Sequence, residues 1–260
     1  MIDVQDVHVT LGGAPVLRDV SFYVATGQIA GYVGPNGAGK TTTMRLLTGT
    51  LAPDHGRVVV AGVDVGTHPL DAKRRYGFVP EHGHIYESFT PEEYLLFVGR
   101  MYGLDEALVR TRLAALLQYW RLGDEAQRKM VGFSKGMKQK VLLSAALLHA
   151  PPVLLLDEPL SGLDAEAVLL ARALFRTWAD AGHTVLYSSH LLDAVERIAD
   201  WVIVIREGQI IGEGSPEALK TETAAASLEL AFSQLTATED VSARTAQLMA
   251  DGFGGAGSGP

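Results

Sequence analysis

Gly34, Gly39, Lys40 and Thr41 fall in the spacing Gly-x-x-x-x-Gly-Lys-Thr, filled here by Pro35, Asn36, Gly37 and Ala38 and followed by Thr42. The run follows an apolar segment, Ile29 to Val33, and precedes residues with helical apolar spacing at Met44 and Leu47. A strand, a glycine loop and a helix in that order form the setting in which backbone N–H groups curl into an anion nest. The positive end of the following helix adds to it. The Lys40 ammonium would reach the β and γ oxygens of a nucleotide, and the Thr41 hydroxyl would ligate Mg²⁺. A bare glycine-rich turn capping a helix explains neither the lysine nor the strand before it.

A phosphate-bound metal needs a carboxylate, and Val153-Leu154-Leu155-Leu156-Asp157-Glu158 supplies two at the end of an apolar run. Asp157 can hold Mg²⁺ through water, and Glu158 can polarise the water that attacks a γ-phosphate. Alone, a strand ending in two acids is commonplace; beside the glycine loop it becomes a second half of one site. Three shorter runs accompany it: Phe133-Ser134-Lys135-Gly136-Met137, Ser161-Gly162-Leu163-Asp164, and Ser188-Ser189-His190. Taken singly, Ser134 reads as a helix N-cap and His190 as an ordinary strand-end residue.

The elements that must position these groups alternate. Strands are expected at Val4 to Thr10, Val20 to Val24, Ile29 to Val33, Arg57 to Ala61 and Tyr76 to Val79, with a helix at Thr42 to Thr50. Thr90 and Glu93 form a capping box with Pro91 at the first helical position, opening an all-helical stretch that continues over about Asp105 to Tyr119. Next come helix Gly136 to His149, strand Val153 to Leu156, helix Ala165 to Ala181, strand Thr184 to Ser188, helix Leu191 to Ile198 and a hairpin from Val202 to Gly212. Strands alternating with helices predict a mostly parallel sheet covered on both faces. Past Ser215 the pattern weakens to a short helix at Pro216 to Thr221, an apolar segment at Leu228 to Phe232 and a glycine-rich end, Gly252 to Pro260.

Composition narrows the function. The chain has 260 residues, 47% hydrophobic and 20% charged, with a formal charge of -8 and no Cys. That is apolar enough for a core and too acidic for a duplex nucleic-acid binder. Disulfides, thiolate metal sites and cysteine nucleophiles are excluded together. The opening residues Met1 to Asp6 are acidic where a secretion signal is basic. The greasiest stretch, Val141 to Leu156, is broken by His149, Pro151 and Pro152, short of the roughly 20 residues of a bilayer span. His82 and His84 lack a third ligand at metal-site spacing.

In this order and at these spacings, the glycine loop, Ser134 to Met137, Asp157-Glu158, Ser161 to Asp164 and His190 resemble the nucleotide-binding subunit of ABC transporters. The resemblance runs over roughly residues 2–215. It implies an α/β fold: a P-loop NTPase core with a mostly parallel sheet, an antiparallel β subdomain and an all-helical subdomain at about 85–150. The ATPase domain would then occupy 1–215, a C-terminal extension 216–251 and a flexible tail 252–260. Ser134, Lys135, Gly136 and Met137 match the family's signature, which closes on the γ-phosphate held by a second subunit's glycine loop. Ser161, Gly162, Leu163 and Asp164 match the D-loop, and His190 the switch histidine. Leu11 and Val16 belong to the nucleotide-binding set, with Leu11 in place of the family's adenine-stacking aromatic. Glu81 stands where a glutamine usually touches Mg²⁺ and the water, a carboxylate joining Thr41 and Asp157. By the same resemblance the aromatics from Tyr86 to Phe97 fall where a permease helix docks; as one apolar stripe of a helix they could equally belong to the core.

The resulting expectation is a Mg²⁺-dependent ATPase, homodimeric or paired with a paralogous subunit, bound to a separate membrane permease on the cytoplasmic face. The Lys135-Gly136-Met137 form of the signature and the Leu228 to Phe232 ending resemble bacterial exporters, so export is favoured over import. A soluble ABC ATPase acting on a protein assembly is the alternative; a P-loop kinase or GTPase gives no reason for the signature and D-loop.

Overall fold

The strands at 153–157 and 184–188 are buried along their whole length, and a computed structural model shows why. It describes residues 1–83, 85–190, 192–236, 248, 249 and 251. In chain order the elements are β1 (Ile2–Leu11), β2 (Ala14–Val24), β3 (Ile29–Val33), α1 (Lys40–Leu47), β4 (His55–Val60), β5 (Val63–Asp64), α2 (Pro69–Lys73) and β6 (Tyr76–Val79). Then follow α3 (Pro91–Met101), α4 (Glu106–Tyr119), α5 (Lys135–Leu147), β7 (Val153–Asp157), α6 (Ala165–Asp180), β8 (Thr184–Ser188) and α7 (Leu192–Ile198). The chain continues through β9 (Trp201–Arg206), β10 (Gln209–Gly214), α8 (Pro216–Glu222) and α9 (Leu228–Thr236).

One sheet has the strand order β10-β9-β3-β8-β7-β6, with β9, β3, β8, β7 and β6 parallel and β10 antiparallel at the edge. The other, β2-β1-β4-β5, is antiparallel. Two cores flank the parallel sheet. Tyr32, Leu155, Leu186 and Ile203 point to the side shared with the antiparallel sheet and α1. Val33, Leu154, Leu156, Val185 and Val202 point to the side packed with the helices. Period-2 alternation between two apolar layers is what makes these strands read as unbroken apolar runs.

The differences from sequence lie at weakly patterned places. The strand expected from Val20 begins at Ala14, closing a hairpin with β1 through Gly12-Gly13. Pro15 concealed it, and β2 is an edge strand, where a missing N–H is tolerated. Strand β5 and helix α2 are too short to show a period. Helix α1 starts at Lys40, two residues before its expected start, because the left-handed Gly39 ends the loop there. Trp201–Arg206 and Gln209–Gly214 extend the expected hairpin at both ends.

Helices α3, α4 and α5 form a helical layer around Leu95, Val109, Leu113, Trp120 and Phe133. The capping box forms in full: the Thr90 N–H donates to Glu93 Oε2 at 2.8 Å and the Glu93 N–H to Thr90 Oγ1 at 3.2 Å. At the C-terminal end, Glu196 of α7 accepts from Lys220 Nζ and from the Leu228 N–H, holding α8 and α9 to the core. The tail at 252–260, expected to be flexible, lies outside the described residues, as does His84. Among the described residues no helix is long and apolar enough to cross a membrane.

Candidate functional site

In an open parallel sheet, side chains that leave the carboxyl ends of adjacent strands converge on one crevice. Here the glycine loop follows β3, Asp157 ends β7 and Ser188 ends β8, the strand between them. The register sets Asp157 opposite Ser188 and Ser188 opposite Tyr32. A cavity of about 390 Å³ opens at this edge, lined by Val16, Asn36, Gly37, Gly39, Lys40, Thr41, Thr42, Glu81, Asp157, Glu158 and His190.

Gly39 has φ 112°, a backbone conformation L side chains rarely adopt, and it brings the loop directly into α1. Lys40 Nζ folds onto the loop, donating to the carbonyls of Gly34 at 2.6 Å and Pro35 at 3.0 Å. Burial pulls the Lys40 pKa below the ordinary lysine value, while Glu158, Asp157 and Glu81 oppose that shift. Behind the loop, Thr43 Oγ1 donates to the Gly39 carbonyl and lies 3.0 Å from the Tyr32 hydroxyl, pinning the first turn of α1 to β3. Neither Thr43 nor Tyr32 carried a sequence signal, since only their contact reveals them.

Asp157 is 4% exposed and Glu158 9%. Burial lifts the Asp157 carboxyl above the usual carboxylate range; the Ser188 hydrogen bond opposes this, Glu81 adds to it, and Lys40 and His82 oppose it. Ser188 Oγ donates to Asp157 Oδ1. Glu158 takes φ 50°, a left-handed conformation that costs on the order of 1 kcal/mol for a side chain with a Cβ. The turn carries its side chain off the strand line, and His190 Nδ1 lies 2.9 Å from Glu158 Oε1. Three carboxylates against one lysine leave a deficit of positive charge, which a divalent cation beside Thr41 and Asp157 would offset. The donor set, one hydroxyl and carboxylates, is the all-oxygen kind that Mg²⁺ takes.

Other candidates sit outside the cavity. Gly34, Pro35 and Ala38 are loop backbone and packing, with Ala38 buried against the antiparallel sheet side. Leu11 ends β1, 38% exposed, and does not line the cavity, although Val16 of the same hairpin does. Ser134 caps α5, its Oγ accepting from the Met137 N–H at 3.2 Å. The signature and D-loop runs meet each other instead of the loop: Lys135 Nζ donates to Ser161 Oγ at 2.8 Å. A Cβ at Gly136 would stand 2.5 Å from the Gly162 carbonyl oxygen. Gln139 of α5 donates from Nε2 to the Pro159 carbonyl at 2.9 Å, tying the helix to the residue after Glu158. Asp164 caps α6 by accepting from the Ala167 N–H.

Comparison with known proteins identifies the family. The ABC transporter family model matches residues 17–161. Nod factor export ATP-binding protein I of Burkholderia orbicola (strain AU 1054) is 38% identical over 218 residues, 84% of this chain and 72% of that protein. ABC transporter ATP-binding protein NatA of Bacillus subtilis (strain 168) is 38% identical over 205 residues, 78% and 83% of the two chains. Linearmycin resistance ATP-binding protein LnrL of the same organism is 34% identical over 215 residues, 83% and 69%. The solved structure of an ATP binding subunit of an ABC transporter superposes with a TM-score of 0.86 at 32% identity, covering 91% of this chain and all of the other. The chain therefore belongs to the ABC transporter family, as an ATP-binding subunit with ATPase activity.

Proposed function

We propose that the chain is the Mg²⁺-dependent motor of an export system, closing head to tail on a second copy or a paralogous subunit and driving a separate permease from the cytoplasmic face of the membrane. The names of its relatives, Nod factor export and linearmycin resistance, support export. The observation that carries the reading is the meeting of Lys40, Asp157, Glu158 and His190 around one cavity.

The loop N–H groups from Gly37 to Thr41 would cradle the phosphates. Lys40, with three donors, would exchange its loop carbonyls for β and γ oxygens. Thr41 and Asp157, with Glu81 as a further carboxylate, would hold Mg²⁺, which when bound neutralises charge on those oxygens. Glu158 would take the proton of the attacking water, and His190, paired with Glu158, would orient that carboxylate toward the γ-phosphate. The signature residues Ser134 to Met137 would act on the nucleotide of the partner subunit. The D-loop, Ser161 to Asp164, touches the signature within one chain through Lys135 and would carry closure at one site to the other.

Glu158→Gln keeps shape while removing the base. ATP should still bind, turnover should fall by about 10² or more, and the ATP-bound protein should run as a dimer by light scattering. Full turnover in this variant, or a strict monomer with ATP and Mg²⁺, would overturn the proposal.

A further inference from the structure

The antiparallel sheet carries a second cluster of chemistry-bearing groups, on a face the ATPase site does not use. Asp6 and His8 lie on β1, and His55 begins β4 directly opposite His8 in the ladder. The β1–β4 register shifts between Gln5 and His8, and Asp6 takes φ 49° at that irregularity. This turns the Asp6 carboxylate in between the two rings. His8 Nε2 lies 3.1 Å from Asp6 Oδ1, and His55 Nδ1 lies 3.3 Å from Asp6 Oδ2. The rings themselves stand edge to face, 5.7 Å between centroids. Among the described residues, this is the one group of three such side chains whose ligand atoms all lie within 4.8 Å of one another.

We propose that Asp6, His8 and His55 bind a borderline divalent transition-metal ion, Zn²⁺ being the test case. Two imidazole nitrogens and one carboxylate make a donor set that suits zinc, nickel and copper and offers little to Mg²⁺. Ligands on a tetrahedral zinc, at roughly 2.0–2.2 Å from the metal, are separated from one another by roughly 3.3–3.5 Å. The two nitrogen-to-oxygen distances, one to each oxygen of the carboxylate, already approach that spacing; His55 Nδ1 also lies 3.2 Å from the Asp6 carbonyl oxygen, a contact that metal binding would exchange. The fourth position opens to solvent. As ion pairs the contacts contribute little, because all three side chains are substantially exposed. A bound ion would cross-link β1 to β4 and stabilise the fold by mass action.

The test uses the full chain, stripped with chelator and free of nucleotide. Calorimetry with ZnCl₂ should give one ion per chain, and excess MgCl₂ should not displace it. His8→Asn and His55→Asn should each weaken zinc by at least about tenfold, while Asp157→Asn at the ATPase site should not. Zinc should raise the melting temperature of the parent and not of the variant carrying His8→Asn and His55→Asn together. In the parent, long-range ¹H–¹⁵N spectra should show His8 Nε2 and His55 Nδ1 moving on zinc addition while His190 stays; this readout holds even if a variant folds poorly. Zinc affinity unchanged in the histidine variants, or lost in Asp157→Asn alone, or a spectrum in which His190 moves instead, would overturn the site.

Discussion

Lys40 is the residue on which the proposed nucleotide binding turns. Its ammonium makes two hydrogen bonds to loop carbonyls, at 2.6 and 3.0 Å, and sits among three carboxylates. Charged hydrogen bonds contribute about 1.5–3 kcal/mol each, so Lys40→Ala, losing two to phosphate, should weaken ATP by about 100-fold or more. Titration calorimetry on the isolated chain reads this directly, and near-parental affinity would remove the lysine from the site. Gly136 makes the opposite point, since what matters there is a missing atom. With the Gly162 carbonyl 2.5 Å from the position of a Cβ, Gly136→Ala must push the start of α5 away from the D-loop. The overpacking should cost about 1–3 kcal/mol. Hydrolysis should fall by about tenfold or more, with ATP binding by the single chain nearly unchanged. Equal loss of binding and turnover would assign the contact to folding alone.

At the scale of elements, His149 joins three of them. It follows α5, its ring stacks on Tyr102 at the end of α3 with centroids 3.8 Å apart, and its Nε2 lies 3.1 Å from the Tyr76 carbonyl of β6. Burial lowers its pKa from 6.5 to about 4, the Tyr76 hydrogen bond opposing and Arg112 adding. The unfolded chain therefore binds this proton first as pH falls. The neutral ring contributes its full stability above pH 6.5, and that contribution is lost as pH drops toward 4. Because the ring is partly open to water, solvent screening leaves a contribution of about 1–2 kcal/mol. His149→Phe keeps the stack and cannot take a proton, so its stability should fall less steeply over this window. Denaturant midpoints across the range measure the difference, and parallel curves would show that His149 takes its proton at the same pH in the folded and unfolded chain.

For the whole molecule, the proposed coupling of closure to a permease requires a docking surface. Tyr86, Phe89, Tyr94 and Phe97 gather into one aromatic cluster, with Tyr86 5.6 Å from Phe89 and 6.1 Å from Phe97 by centroid. Phe89 and Tyr94 pack against the helical core, while Tyr86 is 61% and Phe97 39% exposed. Of these rings Phe89 and Phe97 line a groove of about 480 Å³ together with Ser88, Glu93, Leu96, Arg100 and Lys129, and Tyr86 packs beside Phe97. An amphipathic helix laid in that groove would bury the Phe97 ring and could extend over its neighbour Tyr86. Tyr86→Ser with Phe97→Ser should reduce co-purification with the permease by about tenfold or more while basal ATPase and melting temperature hold. Retained stoichiometric association would move the docking surface elsewhere.

Residues whose chemistry follows from local spacing are legible in the sequence by itself. The glycine loop needs only a strand before it and a helix after it, and Asp157-Glu158 needs only the end of an apolar run. The capping box at Thr90 and Glu93 and the Ser134 cap are likewise local, because their partners lie three residues away. Tertiary structure alone decided the rest. Ser188 meets Asp157, and His190 meets Glu158, because β8 inserts between β3 and β7, an order that chain sequence does not encode. Of the two hairpin residues expected in the nucleotide-binding set, Val16 lines the cavity and Leu11 does not, a difference set by the β1–β2 pairing that Pro15 concealed. His8 and His55, 47 positions apart by their numbers, became neighbours only through β1–β4 pairing and the irregularity at Asp6. Short-range hydrogen bonding writes its pattern into adjacent residues, whereas strand order and register are settled by burial of the two apolar layers, which many distant residues decide together.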